Sequence, residues 1–346
     1  MPDRPALPED AIVAAIQRHY GLPVTALTAL TLGQDVAAWT YRAATAAGAA
    51  YFLKLRHGRI PAATLRVPRF LADHGATAVV APLPTRSGQL WADLDPFTLT
   101  VYPFIDGTAG MAYGLQQRHW LAFGAALRQV HDTLLSPDLA RIVPREAFTF
   151  AQLFQRQRQS PWNEVVAGLE ALGAAADAES PELQALAGWW QTQRPVVLAL
   201  AGRFTALGAQ LRRSPPPLVL CHADIHPNNL LIDHDDRLWM VDWDEVLYAP
   251  KECDLMMGVG GLGVYPAGAR EARWFLAGYG SPAVDGVALA FYRHVRALSD
   301  IGAYAEQVLH KTSSAAARRD ALRRLARLSA PGAIVTLAQQ ADRGLA

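Results

Sequence analysis

Cysteine is almost missing: Cys221 and Cys253 are the only two in 346 residues. Neither belongs to a paired spacing, which excludes a disulfide framework and a zinc knuckle, so both read as small buried hydrophobes in a reducing compartment. A charge of one sign is missing too. Lys plus Arg number 32 against 31 for Asp plus Glu, a formal +1, and no overall field favours nucleic acid or an anionic membrane. No run of about 18 apolar residues could span a bilayer. The opening "MPDRPALPEDAIVAAIQRHYG" has acids and prolines where a secretory leader needs a basic start and an apolar centre. The cytoplasm is therefore the expected compartment, with neither membrane nor nucleic acid as partner. Lysine is scarce at the start, Lys54 being the only one in the first half, and residues 57–75 contain no Glu and a single acid, Asp73.

What is present is the composition of a folded globular chain, 51% hydrophobic and 18% charged. Its length exceeds the usual single domain, so two lobes around a cleft are expected. Residues 8–20 place Ile12, Ile16 and Tyr20 at helical spacing between acidic first-turn residues and the stop at Gly21. From about 24 to 56 the pattern alternates, predicting consecutive antiparallel strands that end in "YFLKLRHG". A helix interrupted by Pro68 follows, then "LWADL" and "FTLTVYPFIDG" resume strand alternation before a break at Gly107. Beyond it the chain is helical, rich in Ala, Leu, Gln and Arg. The boundaries expected are a β-rich lobe over residues 1–103 and a helical lobe over 104–346. In the Arg-rich "ARRDALRRLARL", Leu322, Leu325 and Leu328 mark an amphipathic helix with a solvated face.

Reactive residue types concentrate in "CHADIHPNNLLIDHDDRLWMVDWDE", residues 221–245. "PLVLCHADI" ends a strand-like run in polar residues, and "NNLLIDHDDRLWMVDWDE" reads as strand, turn and strand, so the reactive side chains are expected at one end of a hairpin. Asp224, Asn229 and Asp242 offer the oxygen donors that a hard cation such as Mg²⁺ prefers. A carboxylate such as Asp224 beside a metal-bound phosphate can accept the proton of an attacking hydroxyl. H-x-D, four residues, N, then a downstream Asp is the order found in kinases, met here as His222, Asp224, Asn229 and Asp242.

"CHADIHPNNLLI…MVDWDE" resembles the catalytic core of the aminoglycoside phosphotransferase family, small-molecule relatives of protein kinases. With "VLYAPKECDLMMG" the resemblance covers residues 219–261, and within the family it is most similar to the spectinomycin phosphotransferases. The resemblance implies an α+β, bilobal, protein-kinase-like fold, with a small antiparallel-sheet lobe and a larger, mainly helical one. It implies Asp224 as the catalytic aspartate, Asn229 and Asp242 as Mg²⁺ ligands, and His222 and Asp254 as structural supports. Asn228 stands where Gly is common, and Asn accepts positive φ. Lys54 in "YFLKL" fits the lysine for the α and β phosphates, Gly33 lies in the phosphate-covering loop, and Val101, Tyr102 and Pro103 stand where backbone groups bind adenine. The glutamate expected to pair with that lysine from the next helix is missing, so the pair is made differently or the nucleotide alone holds Lys54. His131, in "LRQVHDTLL", is structural. The implied donor is ATP, with GTP the alternative, and the product is a phosphorylated hydroxyl. Asp244 and Glu245 suit a substrate carrying amines, so a cationic small molecule follows, first an aminoglycoside or aminocyclitol such as spectinomycin, acted on by a monomer or homodimer.

Other readings compete. Kinases of choline, homoserine, sugars and macrolides share this core, and a pseudokinase would keep the fold without the chemistry. His222, Asp224 and His226 alternate, and on an extended strand could bind a transition metal as a metallohydrolase does. Pro227 and the paired Asn residues argue for a loop instead. "GVGGLG", residues 258–263, matches a dinucleotide fingerprint with Asp285 downstream, but no strand precedes it and no helix opens from it. Asp233, His234, Asp235 and Asp236 are a polar turn, and Trp189 and Trp190 belong to helical core.

Overall fold

The computed structural model describes residues 5, 7–30, 38–174, 180–261, 268–311 and 313–345. It is an α+β protein, an antiparallel sheet preceding a helical C-terminal region. Two compact units are built from interleaved segments. The first comprises Met1–His119, Thr133–Val143 and Pro227–Val246; the second comprises Trp120–Asp132, Pro144–His226 and Leu247–Ala346.

In the first unit, helix α1 (Glu9–Tyr20) starts on two acids and stops at Gly21, whose φ of 71° supplies the left-handed cap. Strands β1 (Val24–Leu30), β2 (Ala38–Thr45), β3 (Ala50–His57), β4 (Ala92–Leu94) and β5 (Phe97–Pro103) form one antiparallel sheet in the order β1-β2-β3-β5-β4. Strand alternation decides which side chains face which layer. Leu53 and Leu55 are fully buried in a core shared with Ile12, Ile16, Leu99 and Val101, and Tyr20 ties α1 to the sheet by donating its hydroxyl to the Leu99 carbonyl at 3.2 Å. Lys54 therefore points to the other face, in register between Thr40 of β2 and Thr100 of β5. Helix α2 (Ala62–Asp73) runs through Pro68 without the expected interruption. Burial of Leu65, Val67 and Leu71 along its inner face outweighs the hydrogen bond that proline forfeits.

Five short strands follow along the chain: β6 (Gly107–Ala109), β7 (Val219–Cys221), β8 (Leu230–Asp233), β9 (Leu238–Met240) and β10 (Leu247–Ala249). Gly107, expected to end strand structure, instead opens β6, which pairs antiparallel with β8. A Cβ at Gly107 would run into the Ile232 backbone, so only glycine allows that approach. β8 and β9 form the expected hairpin, its turn bound by the Asp233 carboxylate, which accepts the Asp235 and Arg237 N–H groups at 3.0 and 2.9 Å. β9 also bonds to the segment after α2: the Met240 N–H donates to Ala78 at 2.6 Å and its carbonyl accepts from Val80 at 3.1 Å. These bonds attach residues 227–246 to the first unit.

In the second unit β7 pairs with β10, not with its sequence neighbour β8. The short 3-10 turn Pro227–Asn229 separates β7 from β8, so β7 and the expected β8–β9 hairpin lie in two separate ladders. The helices of this unit include the long Pro181–Arg213 and Gly286–Leu309, which contact each other directly. Trp190 is buried in the first of these. Asp285 caps the second, accepting the Val287 and Ala288 N–H groups at 2.8 and 3.0 Å. In the Arg-rich helix Ala315–Arg327, Ala321 and Leu325 are buried while Asp320 pairs with Arg323 and Arg324.

Helix Gln117–Asp132 crosses helix Ala269–Tyr279 at Gly124 and Gly278, where backbones touch. A Cβ on Gly124 would overlap the Phe275 carbonyl, and one on Gly278 the Leu121 carbonyl. Backbone cannot retreat as a flexible side chain does, so Gly124→Ala is expected to lose about 1–3 kcal/mol. Urea unfolding of the variant would show it; an unchanged midpoint would mean that the crossing is not tightly packed.

Candidate active site

Two clusters carry the reactive side chains, one in each unit. In the first, the Lys54 ammonium donates to Asp244 Oδ2 at 2.8 Å and reaches Asp242 Oδ1 at 3.4 Å, across 190 and 188 positions of sequence. Arg56, two residues along the same face of β3, donates to the same Asp244 oxygen at 3.0 Å. Burial by itself would lower the Lys54 pKa, but the two carboxylates outweigh it and hold the ammonium above its ordinary range. Burial likewise pushes Asp244 up, and Lys54 followed by Arg56 outweighs it and keeps the carboxylate below its usual value. Asp242 follows β9 at φ 64°, a left-handed conformation Asp tolerates because its short side chain can bond locally. The Val241 N–H donates to the Asn229 carbonyl at 3.0 Å, joining the two segments that hold Asn229 and Asp242. An amide oxygen and a half-exposed carboxylate are the donor types Mg²⁺ takes, with waters and phosphates completing its shell; the residues fit that ion.

This pairing supplies a carboxylate partner that α2 does not. The only acid of α2, Asp73, is bonded to Arg69, and Lys54 has its acidic partners after β9. Asp244, expected toward a cationic substrate, is engaged by two cations of its own unit. Removing that shared carboxylate leaves Lys54 and Arg56, 15% and 5% exposed, to lose hydrogen bonds to a charged group. Asp244→Ala should lose about 1–3 kcal/mol, read in urea unfolding, and unaltered stability would remove Asp244 from this role. Glu245 is half-buried and Trp243 buried beside it.

The second cluster is built on the loop after β7. Asp254, fully buried on helix Glu252–Gly258, accepts the His222 N–H at 2.8 Å, the Ala223 N–H at 2.7 Å and His131 Nε2 at 3.1 Å. Tyr279 Oη lies 2.7 Å from the other ring nitrogen of His131. Burial would raise the Asp254 pKa; the bond from His131 and the neighbouring donors outweigh it and depress it. Ala223 takes φ 68°, so the loop turns sharply where Asp254 binds it and presents Asp224 next. Among the described residues, positive φ in this segment falls on Ala223, Asp236 and Asp242, not on Asn228. Asp224 is about one-third exposed and receives Arg296 Nη1 on Oδ1 at 3.0 Å. His226 Nε2 lies 3.7 Å from Oδ2, and burial lowers the His226 pKa to about 4, leaving it neutral at pH 7.

The His222 ring is buried, and its Nδ1 faces the Asp224 N–H at 3.4 Å. Among the described residues the trio of close ligand-type atoms is His131, Cys221 and Asp254, fully buried; it does not include His222, Asp224 and His226. "GVGGLG" begins at the end of helix Glu252–Gly258, the wrong context for a dinucleotide turn, and its Leu262 and Gly263 are outside the described residues. Gly33 is outside them also. Val101, Tyr102 and Pro103 end β5, Val101 fully buried with its carbonyl accepting the Leu83 N–H at 2.7 Å. Sequence reasoning missed Arg56, Arg296 and Tyr279. Arg56 had one signal, its spacing of two from Lys54 on a strand; the other two had none.

A sheet-borne lysine facing a pair of carboxylates, with a pinned aspartate loop in the helical unit, defines a kinase-type phosphotransferase. The chain belongs to the phosphotransferase enzyme family, whose members' pattern it matches over residues 28–294. Among solved structures it is similar to a spectinomycin phosphotransferase in complex with ADP and spectinomycin, at 25% identity over 98% of this chain and 100% of that one, TM-score 0.84. The AMP-bound complex of a spectinomycin phosphotransferase gives 25% identity over 95% and 98%, TM-score 0.79. A microcompartment-associated aminopropanol kinase, 16% identical over 97% and 98% with TM-score 0.66, shares the fold. No curated protein matches the chain. Among the described residues no helix is long and apolar enough to cross a membrane.

Proposed function

We propose that this phosphotransferase moves the γ-phosphoryl group of ATP to a hydroxyl of an aminocyclitol or aminoglycoside, with spectinomycin the first candidate. The observation that supports the reading is the meeting of Lys54 with Asp242 and Asp244, a cation suited to phosphates next to a carboxylate suited to a metal ion. The similarity to a spectinomycin phosphotransferase along essentially its whole length supports the substrate class. Lys54 binds the α and β phosphates. Asn229 and Asp242 would hold Mg²⁺, which would neutralise charge on the phosphate oxygens. Asp224 orients the acceptor hydroxyl and takes up its proton as the oxygen bonds to the γ phosphorus, while the bond from phosphorus to the bridging oxygen breaks and ADP leaves. Backbone groups of Val101–Pro103 and the loop of Gly33 contribute to nucleotide binding. Glu245 is assigned to a substrate amine, and the enzyme acts in the cytoplasm as a monomer or homodimer.

A panel of spectinomycin, other aminoglycosides, choline, homoserine and macrolides, assayed by coupled ADP release with ATP and Mg²⁺, tests the substrate class. Turnover with spectinomycin well above the rest is expected. Turnover confined to choline or homoserine would replace the antibiotic reading with a metabolic one.

A further inference from the structure

Arg56 is the second cation at Asp244, and the proposed reaction gives it no role. It stands on β3 two residues beyond Lys54, on the same face of the sheet, in register between Ala38 of β2 and Thr98 of β5. Its side chain is 5% exposed, and Nη1 donates to Asp244 Oδ2 at 3.0 Å, the oxygen that also receives Lys54 Nζ at 2.8 Å. Lys54, Arg56, Asp242 and Asp244 all belong to the first unit. A buried cation needs an opposite charge against it, and a preorganised guanidinium fork loses less freedom in holding that partner than a flexible ammonium does.

The two carboxylates that face Lys54 create a difficulty for a nucleotide. Phosphates that approach the ammonium approach Asp242 and Asp244 as well, and like charges repel. Asp242 would be offset by the Mg²⁺ it holds. Asp244 is offset by Arg56, whose positive charge lies 3.0 Å from its oxygen. The two donors converge on Oδ2 and hold the carboxylate in place, and Lys54 with it. We propose that Arg56 is a positioning residue for nucleotide binding: it holds Asp244 against Lys54 and offsets its charge, so that Lys54 keeps a net attraction for the phosphates. The inference rests on Lys54 being the phosphate-binding lysine.

The test measures binding of ADP and of adenosine by calorimetry, with Mg²⁺ present, in the full chain. Wild type is compared with Arg56→Met, Arg56→Lys and a double variant, Arg56→Met with Asp244→Asn, each shown to be folded by circular dichroism. Arg56→Met should weaken ADP about tenfold, the order of effect of one unit charge at the effective dielectric of a protein site, and leave adenosine, which has no phosphates, within about twofold. Arg56→Lys keeps the charge and should stay within about threefold of wild type for ADP. The double variant removes both charges together and should bind ADP nearly as well as wild type; it also decides the matter where Arg56→Met alone does not fold. An arginine with a merely structural role would not separate ADP from adenosine, so equal losses for both ligands would overturn the proposal. Unchanged ADP affinity in Arg56→Met would overturn it too, as would a double variant about tenfold weaker than wild type for ADP. Wild-type protein that fails to bind ADP would count against Lys54 as a phosphate-binding residue and so against the kinase reading, whereas ADP binding that Arg56→Met leaves intact would count against Arg56 alone.

Discussion

Asp224→Ala is expected to lower acceptor-dependent turnover by about 10²- to 10⁴-fold, the contribution usual for a positioned general base, and to leave ATP binding close to that of the wild type. The two halves of that expectation come from different parts of the molecule. Asp224 stands on the loop after β7 in the second unit, whereas Lys54, Asn229 and Asp242 belong to the first. Truncation at Asp224 takes no donor from Lys54 and no oxygen from Asn229 or Asp242, so nucleotide affinity measured by calorimetry should stay within a few-fold. The loop itself should persist, because Asp254 holds it by backbone N–H groups that the substitution does not touch. Lys54→Ala should do the reverse, weakening nucleotide binding first. Retained turnover in Asp224→Ala would assign the proton to another group.

The largest effect on stability is expected at Asp254. Its carboxylate is 0% exposed and accepts from two backbone N–H groups and from His131. Asp254→Ala strands those donors in a site closed to water, and leaving buried donors without their acceptor costs about 1–3 kcal/mol for each group, together a large fraction of the 5–15 kcal/mol typical of a folded domain. The pH dependence has a definite sign. Because the folded-state pKa is depressed, the carboxylate's contribution is fully present above its unfolded pKa near 4 and is lost as pH falls through the lower folded value. The stability gap between wild type and Asp254→Asn, measured by urea unfolding, should therefore be constant from about pH 5 to pH 8 and close below about pH 4. A gap that widens in acid would mean that the carboxylate is protonated in the folded state.

Local chemistry was legible in the sequence and long-range pairing was not. Ile12, Ile16 and Tyr20 repeat at the helical period, and Leu53, Lys54 and Leu55 alternate, so burial of the leucines sends the lysine to the opposite face whatever lies beyond. The spacing of His222, Asp224, Asn229 and Asp242 carries its chemistry in its order. What escaped was contact across distance. Lys54 meets Asp244 from 190 positions away, and an acid after β9 can serve the lysine as well as one on α2, since only proximity matters to the charge. The β8–β9 hairpin was legible from its strand, turn and strand pattern, whereas the pairing of β7 with β10, from beyond that hairpin, was not. Pro68 misled in the opposite direction, because propensity is weaker than the packing of an apolar face. Arg296 resembles any arginine of an amphipathic helix until the fold brings Asp224 to it.

Mass spectrometry of spectinomycin incubated with the chain, ATP and Mg²⁺, with ADP quantified in the same sample, tests the central claim most directly. The account predicts spectinomycin monophosphate and ADP in equal amounts, with both lowered by about 10²-fold or more in Asp224→Ala. ADP accompanied by inorganic phosphate and unmodified spectinomycin would contradict it, since the phosphoryl group would then have gone to water.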